Sequence, residues 1–191
     1  MRDVYEVAQR HGISVHLDGA RIFNAAVALD VPVTALTRHC DTVSCCLSKG
    51  LCAPVGAVLA GPERVIHRAR KYRKMLGGGM RQVGFLAAAA RIALTEMPAH
   101  LALDHENARH MAGKLKQIPG VSLDMDAVEI NMVFFHVARE RAVLDALPAR
   151  MLEAGVKING HSDGLFRFVT NHDVSRSDVD RAVEVFEGLL G

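Results

Sequence analysis

Val43-Ser44-Cys45-Cys46-Leu47-Ser48-Lys49-Gly50-Leu51-Cys52-Ala53-Pro54-Val55-Gly56 is an apolar run that stops at Ser48-Lys49-Gly50 and restarts after Pro54. The restart continues through Ala57-Val58-Leu59-Ala60. Both runs read as short buried strands, over residues 41–47 and 56–60, with Lys49 in the turn between them. A lysine held between two buried strands needs a reason, because removing an ammonium from water is costly. One reason is chemistry: desolvation favours the neutral amine, which is the nucleophile. The plainer alternative is a strand-end lysine pointing into water.

Upstream, His16-Leu17-Asp18-Gly19-Ala20-Arg21 ends another apolar run, over 13–17, with an acid. Asp18 and Lys49 thus fall at comparable ends of two strands separated by a short helix. Open parallel sheets bind ligands at the carboxyl ends of their strands. An acid and a lysine there suit pyridoxal 5'-phosphate. The lysine bonds the aldehyde, and the acid keeps the pyridine nitrogen protonated so that the ring accepts electrons.

The 191 residues suffice for one large domain or one and a half small ones, and half of them are hydrophobic. Lysines and arginines number 23 against 21 acids, a net charge of +2. So small an excess argues against a nucleic-acid partner bound through phosphate neutralisation. No apolar stretch is long enough to span a bilayer, and the start is polar and mixed in charge rather than leader-like. Cys40, Cys45, Cys46 and Cys52 fit no zinc spacing, so no metal is expected. They read as buried reduced thiols, which suits the cytoplasm.

Periodicity predicts a helix over 3–11 that stops at Gly12, and another over 21–29. A helical turn follows at 33–37. A basic helix is predicted from Pro62 to Met75, and its charge run reads as a solvated face. Leu76-Gly77-Gly78-Gly79-Met80-Arg81 reads as a flexible loop that lets backbone approach a ligand or a neighbouring subunit. Residues 82–97 are alanine-rich and almost uncharged, the pattern of a helix buried on all sides. A more polar helix spans 100–117. Beyond Val121 the pattern becomes α+β, with strands at 131–137, 155–158 and 165–170 and helices at 141–154 and 175–189. Ser175, with Asp178 three residues on, is close to a capping box. Arg167, between Phe166 and Phe168, needs an anionic partner, and its planar fork suits a carboxylate.

H-L-D-G-A-R, then S-K-G-L-C-A-P-V-G, then R-K-M-L-G-G-G-M-R-Q, resembles the low-specificity L-threonine aldolase family, from about Val4 to the C-terminus. The resemblance implies an α/β architecture of fold type I among pyridoxal phosphate enzymes. Residues 1–97 would form part of a large domain with a mainly parallel sheet. Residues 98–120 would be a connecting helix, and 121–191 a small C-terminal α+β domain. It implies that the chain lacks the family's beginning, with its ring-stacking histidine and phosphate-binding turn. A helix feeding straight into a buried strand reads the same way.

The implied reaction is cleavage of L-threonine or L-allo-threonine to glycine and an aldehyde, in a homodimer or homotetramer. Lys49 would be the Schiff-base lysine. Asp18 would pair with the pyridinium nitrogen, Arg21 would lie near the ring's phenolic oxygen, and Ser48 and Arg81 would also hold the cofactor. Lys74 and Arg167 would meet the substrate, Arg167 through its carboxylate. The F-R-F-V-T-N-H-D stretch resembles the family's carboxylate-binding strand, but Asn171 stands where histidine is common. His16 either orients Asp18 or packs in the core. Two other readings stay open: a form without activity, and another fold-type I enzyme such as an aminotransferase or β-eliminating lyase.

Overall fold

Helix α1, Arg2–Arg10, ends in a backbone cap that favours glycine. Gly12 takes φ 64°, its N–H donates to the Gln9 carbonyl, and the Ile13 N–H returns to the Ala8 carbonyl. Ile13 is therefore engaged in the cap, and β1 is only His16–Asp18, shorter than the expected run. Helices α2, Ile22–Ala28, and α3, Val33–Thr37, follow, then β2, Thr42–Cys46, and β3, Ala57–Ala60. Helix α4, Glu63–Met75, and helix α5, Gly84–Thr95, complete this part, with a 3-10 turn at Met97–His100.

These elements belong to the first of two compact units, Met1–Leu101 and Ala102–Gly191, in the computed structural model, which describes residues 1–191. The sheet order is β1-β2-β3. Strand β2 runs parallel to β1, with Asp18 opposite Ser44, and β3 runs antiparallel to β2. The parallel expectation thus holds for the pair that carries Asp18. The short loop at Lys49 cannot make the long crossover that a parallel partner needs, so β3 reverses. The core gathers Ile22, Cys45, Leu47, Leu51, Ala53, Ala93 and Leu101.

Two expectations of burial are corrected here. All four residues of β3 are exposed, because it is an edge strand and apolar composition buries a strand only where a layer covers it. In α5 only Ala93 is buried, and Phe85 is 89% exposed.

In the second unit, α6, Leu101–Leu115, leads to β4, Val121–Ser122, and β5, Met132–Val137. Helix α7, Arg141–Glu153, strand β6, Leu165–Val169, and helix α8, Arg176–Leu190, follow. The sheet is antiparallel throughout, in the order β4-β5-β6. Phe135 stacks on Phe166 at 5.7 Å and meets Phe168 and Phe186 edge-on at 4.9 and 5.6 Å. The expected capping box at α8 is complete, with Ser175 Oγ accepting from the Asp178 N–H. The strand expected at 155–158 does not form. Gly155, at φ 81°, caps α7 by donating to the Leu152 carbonyl, and the Val156 N–H donates to the Met151 carbonyl. The chain past it runs unpaired.

Candidate active site

Asp18 is the last residue of β1, and its Oδ1 accepts from the Ala20 N–H at 3.1 Å. The next amide, Gly19 N–H, donates to the Ser44 carbonyl of β2 at 2.8 Å. A Cβ at Gly19 would lie 2.7 Å from that carbonyl oxygen, so only glycine lets the two strands close here. Arg21 then caps the start of α2, half-buried.

Beyond β2 the chain makes a loop pinned at both ends. Leu47 N–H donates to the Gly56 carbonyl and Ala53 N–H to the Leu47 carbonyl. Within it a tight turn is closed by Cys52 N–H on the Lys49 carbonyl at 2.9 Å, with Cys52 at φ 59°. Leu47 and Leu51 point into the core and hold the loop down, which turns Ser48 and Lys49 outward. Of the two readings of Lys49, the structure agrees with the plainer one, a lysine beyond a strand end in water: its side chain is exposed, and its ammonium has no ion pair. Because β1 and β2 are parallel, Asp18 and Lys49 both lie at carboxyl ends of neighbouring strands.

Gly50 is the close-packed point of the site. A Cβ there would meet the Leu101 side chain at 2.8 Å and Asn24 Oδ1 at 3.2 Å. Asn24, on α2 and 3% exposed, is a site residue that sequence reasoning missed. Its one signal was that it is the single polar residue in the otherwise apolar helix Ile22–Ala28. Arg21, Asn24, Cys46 and Gly50 border one narrow crevice, which brings the helix after Asp18 against the lysine loop. Burial pushes the Cys45 thiol up from its ordinary range, as does neighbouring Cys46, so it stays protonated.

His16 takes neither expected role. It is exposed, and its Nδ1 lies 2.8 Å from Thr42 Oγ1, its partner across β1 and β2.

Lys74 and Arg81 are exposed, and no ion pair or hydrogen bond joins either to Asp18 or Lys49. The triple glycine begins as the cap of α4. Gly77, at φ 82°, donates to the Lys74 carbonyl, and Gly78 N–H to the Arg73 carbonyl at 2.8 Å. A Cβ at Gly79 would strike the Lys74 stem, so the loop folds over that side chain.

Arg167 belongs to the second unit. Strand alternation sends Phe166 and Phe168 into the core and Arg167 outward, opposite Phe134, so it is exposed rather than enclosed. It lines a cavity of about 500 Å³ together with Asn159, on the unpaired chain after α7. Asn159 was also missed; it lies just past the strand expected at 155–158. The end of β6 is fixed from behind: Thr170 Oγ1 donates to the Asp104 carbonyl at 2.6 Å, and Asn131 Nδ2 donates to the Thr170 carbonyl at 2.7 Å.

Known proteins resemble the chain over its whole length. Low-specificity L-threonine aldolase 1 of Arabidopsis thaliana is 42% identical over 188 residues, 98% of this chain and 52% of that protein. The low specificity L-threonine aldolase of Escherichia coli K12 is 41% identical over 190 residues, covering 100% of this chain and 55% of that protein. The chain therefore spans about half the length of the curated relatives it matches. Among solved structures, a threonine aldolase of Leishmania major superposes with TM-score 0.73 at 20% identity, over 100% of this chain and 56% of that one. The fold is that of these enzymes. The sequence profile described as beta-eliminating lyase matches residues 1–138. With most of its length under that profile, and an acid and a lysine at adjacent strand ends, the chain belongs to the beta-eliminating lyase family.

Proposed function

We propose that the chain carries the lysine-bearing part of a pyridoxal 5'-phosphate-dependent aldehyde-lyase. Its substrates would be L-threonine, L-allo-threonine and related β-hydroxy-α-amino acids, cleaved to glycine and an aldehyde. The observation that carries this reading is the pairing of β1 and β2, which sets Asp18 and Lys49 at neighbouring carboxyl ends. A carboxylate and an exposed, unpaired amine are the donor set this cofactor needs. When bound, the cofactor supplies an aldehyde that condenses with primary amines and a ring that accepts electrons from a breaking Cα–Cβ bond.

Asp18, oriented by the Ala20 N–H, holds a proton on the pyridine nitrogen. Lys49 would offer the amine and, once released, would be free to shuttle a proton. Arg21 would offer a cation to the ring oxygen, and Ser48 and Arg81 would help hold the cofactor. Lys74 and Arg167 serve the substrate, Arg167 by gripping its carboxylate through two parallel N–H donors. We place this activity in threonine breakdown and glycine supply, in a homodimer or homotetramer in the cytoplasm. The free state of all four cysteines supports a reducing compartment.

The test is borohydride reduction in the presence of the cofactor, followed by intact-mass and peptide mapping. The expected result is a cofactor adduct on Lys49, absent from Lys49→Ala, and glycine release from L-allo-threonine by the unreduced protein. An adduct spread over surface lysines, unchanged in Lys49→Ala, would overturn the assignment.

A further inference from the structure

The cavity bordered by Arg167 is larger than one carboxylate requires, and its charge is uneven. Its volume of about 500 Å³ is that of a small-molecule site rather than of a single-ion contact. Its lining includes the charged side chains of Lys157, Arg167, Arg181 and Asp178. Two of these are already engaged. Arg181 Nη2 donates to the Ala154 carbonyl at the end of α7, at 3.1 Å. Asp178 closes the capping box of α8, accepting from the Ser175 N–H at 2.9 Å, and it feels the field of Arg181. Those two offset one another.

Lys157 and Arg167 are left, and neither has an ion pair or a side-chain hydrogen bond. Gly155 caps α7, and the chain beyond it forms no helix or strand as far as residue 160. Residues 155–159 all border the cavity; Val156 and Ile158 also pack against the core, while Lys157 and Asn159 are exposed. Phe168 and Val174 contribute apolar wall. A pocket with two unpartnered cations, an amide and an apolar wall suits a short carbon chain with an anion at each end.

We infer that this cavity takes a small ligand with two anionic groups, one on Arg167 and one on Lys157, as in a dicarboxylic amino acid. The inference deepens the reading of Arg167 given above and rests on it. Lys157 then sets side-chain preference, favouring substrates whose far end carries a carboxylate.

The test compares succinate with succinamate, its singly charged isostere, by NMR titration of the full ¹⁵N-labelled chain at constant ionic strength. Succinate is expected to bind about fivefold tighter, the ratio of a partly exposed ion pair. Lys157→Gln should bring succinate to the level of succinamate, and Lys157→Arg should restore the difference. Arg167→Gln should weaken both ligands. Equal binding of the two ligands by the unaltered protein, with Arg167→Gln still weakening both, would overturn the role of Lys157 and leave Arg167 standing. Binding that Arg167→Gln does not weaken would overturn both.

Discussion

Asp18 and Ser44 stand opposite each other in the parallel pair β1–β2, and the amide just past Asp18 donates to the Ser44 carbonyl at 2.8 Å. The acid-bearing turn is thereby locked to the strand that leads to Lys49. Gly19 makes the closure possible. Gly19→Ala would push a methyl against that backbone oxygen, which cannot swing aside. The expected loss is about 1–3 kcal/mol, as for overpacked sites, read as a lower urea midpoint. Gly84→Ala, where a Cβ meets nothing, should be stabilising or neutral by the same measurement. Equal midpoints for the two variants would refute the close approach.

Asp180 ties α8 to α6. Its Oδ1 lies 2.7 Å from both Lys114 Nζ and His110 Nε2, and these hydrogen bonds, Lys114 first, hold its carboxyl below the ordinary value of 3.8. A carboxylate whose folded pKa is depressed contributes stability above the unfolded value, and loses it as pH falls through the folded one. Lys114 is shifted up from 10.5, chiefly by the same bond, so its share is lost only when pH rises through its folded value. Asp180→Asn should therefore cost stability at pH 7 and progressively less below pH 3.8, in urea melts of both proteins across that range. A difference independent of pH would count against the ion pair.

Phe135 and Phe85 test how far apolar composition predicts burial. Phe135 is 1% exposed at the centre of the aromatic cluster, and Phe85 is 89% exposed on α5. Phe135→Ala should cost about 3–5 kcal/mol. Phe85→Ser should change stability by no more than about 0.5 kcal/mol and reduce self-association, measured by light scattering.

Ser175 closes α8 through its side chain and the reciprocal contact from Asp178. Ser175→Ala should cost about 1 kcal/mol of stability. Ser175→Asp should retain most of it, since a carboxylate also accepts from the first-turn amides. Hydrogen exchange at the start of α8 would read the difference locally.

Much of this molecule is local in origin. The stops of α1 at Gly12 and of α7 at Gly155, the cap at Ser175 and the alternation around Arg167 are decided by neighbours within a few residues. They were legible for that reason, even where the reading assigned them a different use. The motif residues Asp18 and Lys49 stood out because their types suit one chemistry at strand ends. Exposure did not follow in the same way. Ser48 and Lys49 turn outward because Leu47 and Leu51 anchor the loop, and β3 and α5 stay exposed despite their composition. Asn24 against Gly50, and Lys157 with Arg167 on one cavity, join residues distant along the chain. Propensity and periodicity act over a turn or two of backbone, so they choose elements and their ends. Which face is covered, and which charges meet, depends on what packs against it, and that is settled only when the whole chain has folded.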